Sequence, residues 1–154
     1  DRRARSLYRW GMQTATDQSR LVARSVLAAL YIVAGVAHLL WPAPFLAITP
    51  AWVPVAPVVI ALTGVAELAG AAGLWMPRLR RAAGIGLALY AVCVYPANIK
   101  HALDFAADPG TGVGWWYHAP RLLLQPVIAW WALRAAGVTD WPFRRTPDTQ
   151  TPAE

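Results

Sequence analysis

In the stretch ALTGVAELAGAAGLW, residues 61–75, one residue is out of character: Glu67. A charge at the centre of a bilayer costs about 2.5–3.5 kcal/mol on insertion scales. Glu67 therefore needs an offset and is a candidate for proton handling. Residues three or four apart share a helical face. That spacing puts Thr63, Gly64, Glu67, Gly70 and Ala71 on one face. Tyr31, Ala34, Gly35 and His38 form a second polar face, Tyr95, Asn98 and His101 a third, and His118, Arg121, Gln125 and Ala129 a fourth. Glu67, Arg121 and His38 are the candidates for acid–base work. Asn98, Gln125, Tyr31 and Tyr95 are the candidates for holding a polar ligand. Arg121 is the expected partner of Glu67, with Gln125 one turn deeper and able to bridge them. The same side chains also suit a purely structural role, as hydrogen-bonding glue between helices. A lone histidine near a helix end, such as His38, suits an interfacial hydrogen-bonding role. No metal site is expected: His38, His118 and Glu67 are far apart in sequence and no ligand spacing ties them together.

Four helices must carry these faces. The chain is 57% hydrophobic and only 14% charged, against about a quarter charged in soluble domains. A spanning helix needs about 20 mostly apolar residues. Four segments qualify, at about 21–41, 57–76, 82–103 and 115–136. The expected fold is all-α, an integral membrane four-helix bundle. Pairs of small residues such as Ala66/Gly70 and Ala69/Gly73 allow close helix approach. The connection PAPFLAITPAWVPVAP, residues 42–57, is too rich in proline to continue a helix. It is still apolar, which suits the membrane interface. PRLRR (77–81) reads as a tight basic turn and ADPGTGVG (107–114) as a flexible polar loop. With about 1.5 Å rise per residue, Glu67 lies roughly 15 Å below the outer end of its helix.

The net charge of +6 sits outside the apolar runs. This placement argues against nucleic-acid binding and for contact with anionic lipid. Arg20 and Arg24, the turn residues Arg78, Arg80 and Arg81, and Arg134, Arg144 and Arg145 would share one side; Asp104 and Asp108 would lie on the other. The positive-inside rule then places both termini and the 77–81 turn in the cytoplasm. Residues 1–20 and 137–154 read as polar cytoplasmic tails without fixed structure. Met12 makes a natural start, so residues 1–11 are expected to lie outside the native chain. No secretory signal with a cleavage site is evident. Cys93 is the single cysteine; it excludes an intrachain disulfide and a paired-cysteine redox motif, and reads as a small buried apolar residue.

The motif order AGVAHLLWPAPFLAITPAWVP (34–54), TGVAELAGAAGLWMPRLRRAAGIGL (63–87), YPANIKHAL (95–103) and PRLLLQPVIAWW (120–131) resembles the DoxX-like family of small four-helix bacterial membrane proteins. The matching pieces are Gly35/His38, Gly64/Glu67, Pro96/Asn98 and Arg121/Gln125. The resemblance implies a multi-pass subunit, in a bacterial plasma membrane, of a redox or oxidative-stress complex, since some relatives are subunits of a thiosulfate:quinone oxidoreductase. It also implies an alternative, because related eukaryotic proteins assist receptor assembly. Three functions follow as expectations. One is a quinone-linked redox subunit whose polar cluster bonds quinone carbonyls and relays protons, with Tyr31, Tyr95, Trp41 and Trp116 packing a ring. Such a subunit needs a partner redox protein, because the sequence holds no cysteine cluster, dinucleotide glycine motif or paired histidines. The second is a non-enzymatic scaffold for partner membrane proteins. The third is a binder or transporter of a small lipophilic molecule, acting as a homo-oligomer or by holding the molecule between helices.

Overall fold

The computed structural model describes residues 2–110 and 113–141, with side chains from residue 18 onward. Every element among them is helical: α1 (Arg2–Leu40), α2 (Ala43–Ile48), α3 (Ala56–Trp75), α4 (Arg80–Ala107) and α5 (Trp115–Ala135). Local chemistry sets the boundaries. Pro42 ends α1, since proline has no N–H and its ring clashes with the preceding turn. Thr49 then closes α2, its hydroxyl donating to the Phe45 carbonyl at 2.8 Å. Pro57 sits in the first turn of α3, where its missing N–H has no helical acceptor to lose. Arg80 donates from Nε to the Leu74 carbonyl at 3.0 Å, filling one of the carbonyls that the end of α3 leaves open. Gly137 takes φ +72° after α5. There its N–H meets the Arg134 carbonyl at 3.0 Å and the Val138 N–H meets the Leu133 carbonyl at 2.9 Å. This left-handed helix stop suits glycine.

Among the described residues, three helices are long and apolar enough to cross a membrane: Gln18–Leu40, Ala56–Trp75 and Arg80–Ala107. The expected fourth, α5, has 21 residues but carries His118, Arg121, Gln125 and Arg134 and two internal prolines. Its outward face is nonetheless apolar, with Leu123 72% and Leu124 51% exposed. α1 packs on α3 and α5, and α4 packs on α3 and α5, while α2 touches α3 and α4. The helices show apolar side chains outward, Val33, Leu62 and Val92 among them, and Cys93, expected inside, is exposed with them; alanines and glycines fill the inside. That pattern is compatible with contact with lipid, where small residues replace a hydrophobic drive as the basis of close packing.

Two expectations about the tails change. Residues 2–20 continue α1 as regular helix. They hold a single glycine and no proline, and a formed helix extends at little cost once its nucleus exists. At the other end, residues 137–141 pack back: Trp130 Nε1 donates to the Trp141 carbonyl at 3.0 Å, and Asp140 pairs with Arg20. The expectation for 142–154 lies outside the described residues, as does the Arg144 and Arg145 contribution to charge placement. The described basic side chains Arg20, Arg24, Arg80 and Arg134 do gather at the end where α3 turns into α4.

The apolar core occupies this basic end. Leu27, Leu74 and Leu87 are fully buried there among Ala28, Ala71 and Ala132. Gly84 lets α4 approach α5 so closely that a Cβ on it would stand 2.9 Å from the Ala132 carbonyl oxygen. Towards the opposite end the packing opens.

Candidate functional site

A cavity of about 720 Å³ lies between the α1/α3 pair and the α4/α5 pair. α2 and the following loop roof it, with Phe45, Ile48, Trp52 and Val53 in its lining. The size falls in the usual range for small-molecule sites, roughly 300–1,000 Å³. Its walls are apolar except for a few polar groups. Six of the seven expected site residues line it: Tyr31, His38, Glu67, Asn98, Arg121 and Gln125.

Tyr95 does not line the cavity; Tyr90 does. Tyr90 sets its hydroxyl against the Glu67 carboxyl and Thr63, and its ring meets Tyr31 edge-on at 6.1 Å. At about 3.6 residues per turn, Tyr90 and Tyr95 flank Asn98 on opposite sides of α4. The cavity takes Tyr90's side. The sequence offered a weak signal, since Tyr90 lies one residue before Ala91, which is seven positions from Asn98 and so on its face.

The partner of Glu67 is His38, not the expected Arg121. Nδ1 of His38 is 2.8 Å from Oε2 of Glu67 and 2.9 Å from the Ala34 carbonyl oxygen. A backbone carbonyl only accepts, so Nδ1 carries the hydrogen. The approach to the carboxyl is short, yet Oε2 has no hydrogen-bond partner although it is buried. Oε2 thus makes no well-aligned hydrogen bond, while the Tyr90 hydroxyl stands beside the same carboxyl. Phe45 from α2 stacks on the His38 ring at 3.8 Å and holds it over the carboxyl. The close approach has a backbone cause. Gly35 and Gly64 face each other, and each stands three residues before one member of the pair.

Arg121 faces elsewhere. Its Nη1 lies 3.1 Å from Nδ1 of His101 and its guanidinium covers the Tyr117 ring at 5.4 Å. Arg121 thus lines the cavity against a histidine and a tyrosine ring rather than against Glu67. Asn98 and Gln125 form the opposite wall. Asn98 Nδ2 donates to Gln125 Oε1 at 2.9 Å, and Gln125 Nε2 donates to the Ala91 carbonyl at 2.7 Å. Gln125 therefore joins α5 to α4 rather than bridging Arg121 and Glu67. His118 is fully buried against Phe105 and His101 and is not among the lining residues. Among the described residues no three His, Cys, Asp or Glu side chains gather as a metal site would require.

Apolar helices around a roofed cavity, with a buried carboxyl held against an imidazole, define the class: an all-helical protein with membrane-competent helices and an internal polar site. Residues 27–136 match the family described as a domain of unknown function, DUF8561, and the chain belongs to that family. No curated protein and no solved structure matches it.

Proposed function

We propose that this protein is a multi-pass membrane protein that binds a lipophilic molecule with a quinone-type head group in the cavity between its helices. α5 is the fourth span and completes a four-helix bundle. The basic end, with both termini, faces the cytoplasm of a bacterial plasma membrane. The roof of α2 and Trp52 then lies at the outer interface, where tryptophan is favoured. The observation that carries the reading is Glu67: a buried carboxyl held beside His38 and Tyr90, one oxygen of which makes no well-aligned hydrogen bond, on the wall of a 720 Å³ cavity. A buried polar atom left unsatisfied calls for a partner. The residues present fit a quinone-type group. Arg121 supplies N–H donors to an oxygen, Glu67 and His38 hold and pass a proton, and the rings of Tyr90, Phe45 and Trp116 pack an aromatic head. Such a group, when bound, supplies two-electron chemistry. The resemblance to the DoxX-like family supports the same direction, a quinone-linked subunit working with a partner redox protein.

The test is to purify the full chain in mild detergent, extract it with organic solvent and identify the small molecules by mass spectrometry. A stoichiometric quinone that Arg121→Ala loses supports the reading. Bulk phospholipid alone, with other membrane proteins retained, supports the second reading, a scaffold for partner membrane proteins. Gly86 favours that second reading: it is exposed on α4 with open space around it, as a close helix contact would need.

A further inference from the structure

Arg121 reaches the cavity from α5, and a side chain of α4 that is not among the lining residues fixes where it stands. Nη1 of Arg121 lies 3.1 Å from Nδ1 of His101. Arginine carries donors only, so Nδ1 is the acceptor and the His101 ring is neutral, with its hydrogen on Nε2. An imidazolium would offer no lone pair there and would repel the guanidinium. The guanidinium also covers the ring of Tyr117, one turn earlier on α5, at 5.4 Å. Contacts from two helices thus hold the end of a long side chain, and a side chain ordered in advance need not be ordered on binding. The bond to His101 occupies one N–H and leaves the rest of the guanidinium for the cavity. His101 is itself held. Its ring meets the fully buried ring of His118 edge-on at 4.6 Å and the Tyr117 ring at 6.0 Å. The charged neighbours on α4, Lys100 and Asp104, pair with each other.

We infer, on the reading of the cavity just given, that His101 is a positioning residue of the binding site. Through Nδ1 of its neutral ring it fixes the Arg121 guanidinium at the cavity wall, where the remaining N–H groups donate to an oxygen of the ligand's head group. His118 serves the same end at one remove, as the buried ring against which His101 packs. Without the acceptor on His101, Arg121 turns freely and the ligand has to order it.

The experiment uses the full chain in lipid nanodiscs. A decyl-substituted 1,4-benzoquinone is equilibrated by dialysis against loaded and empty nanodiscs. The expected result is that His101→Leu, which has no acceptor, binds about fivefold more weakly than wild type, the size of one hydrogen bond. His101→Asn binds like the wild type, because its side-chain carbonyl oxygen takes the place of Nδ1. A role confined to packing on His118 would be lost in both variants. Nitrogen NMR on the chain labelled at its histidine rings, without the probe, should show His101 neutral with its hydrogen on Nε2. Affinity that His101→Leu leaves unchanged, His101→Asn as weak as His101→Leu, or a hydrogen on Nδ1 of His101 overturns the inference and leaves the cavity reading standing. A wild-type chain that binds no probe overturns the quinone reading and the inference with it. Thermal unfolding confirms that each variant is folded, and the ring tautomer decides by itself if His101→Leu is not.

Discussion

Gly35 on α1 lies directly against Gly64 on α3. A Cβ on Gly35 would stand 2.8 Å from the Gly64 carbonyl oxygen, and one on Gly64 would stand 2.9 Å from the Gly35 carbonyl oxygen. Neither backbone atom can swing aside as a side chain can. Gly35→Ala and Gly64→Ala should therefore push α1 from α3 and destabilise by about 1–3 kcal/mol, as overpacking does. Gly86→Ala is the control. Nothing lies within 4 Å of its Cβ position, and alanine favours helix over glycine by up to about 1 kcal/mol. Thermal unfolding in detergent should show the first two variants falling and the third unchanged or rising.

The glycine contact exists to bring His38 and Glu67 together at 2.8 Å. A double-mutant cycle on Glu67→Gln and His38→Ala should give a coupling of about 1 kcal/mol or more, as contacting residues do. The cycle pairing Glu67→Gln with Arg121→Ala should give less than about 0.5 kcal/mol. Equal couplings would mean that Arg121 is an equal partner of the carboxyl.

That contrast marks what the sequence could and could not convey. The faces of single helices were readable, because Gly35/His38 and Gly64/Glu67 repeat at helical spacing. Six of the seven expected site residues do line one cavity. The pairing across helices was not readable. It depends on the height at which α1 crosses α3, which two glycines set, and on α2, whose Phe45 pins the His38 ring. A helical face wide enough to hold both Tyr90 and Tyr95 around Asn98 also leaves open which flank a neighbour covers. The extent of α1 is hidden for a simpler reason: polar residues read as a tail without fixed structure, whereas a helix already nucleated by a span continues through them.

Gln125 spends both ends of its amide on α4, on Asn98 and on the Ala91 carbonyl. Gln125→Ala should cost about 1–3 kcal/mol by leaving Asn98 unpaired. Adding Asn98→Ala to it should cost much less than the sum of the single variants, since both act in one network. Additive losses in thermal unfolding would show that the two side chains act separately.

Val55 holds φ at +42° just before α3. A branched side chain is strained there, by about 1–3 kcal/mol. Val55→Gly removes the strain and loses part of the gain to the greater freedom of glycine when unfolded. The net expectation is a modest rise in unfolding temperature, against the fall that glycine usually brings.

Orientation can be read with single cysteines in a Cys93→Ser background. Asp108→Cys lies at the cavity end and should react with a membrane-impermeant maleimide in cells whose inner membrane is intact. Thr139→Cys lies at the basic end and should react only after that membrane is opened. The reverse pattern would invert the topology.

The central claim is that the cavity holds a lipophilic molecule. Native mass spectrometry of the detergent-released protein tests it most directly, comparing wild type with Ala34→Phe, which fills space on the cavity wall. The wild-type chain should carry one stoichiometric adduct of defined mass, lost in a variant that still unfolds cooperatively. A bare wild-type chain, or the same adduct retained by Ala34→Phe, would contradict it.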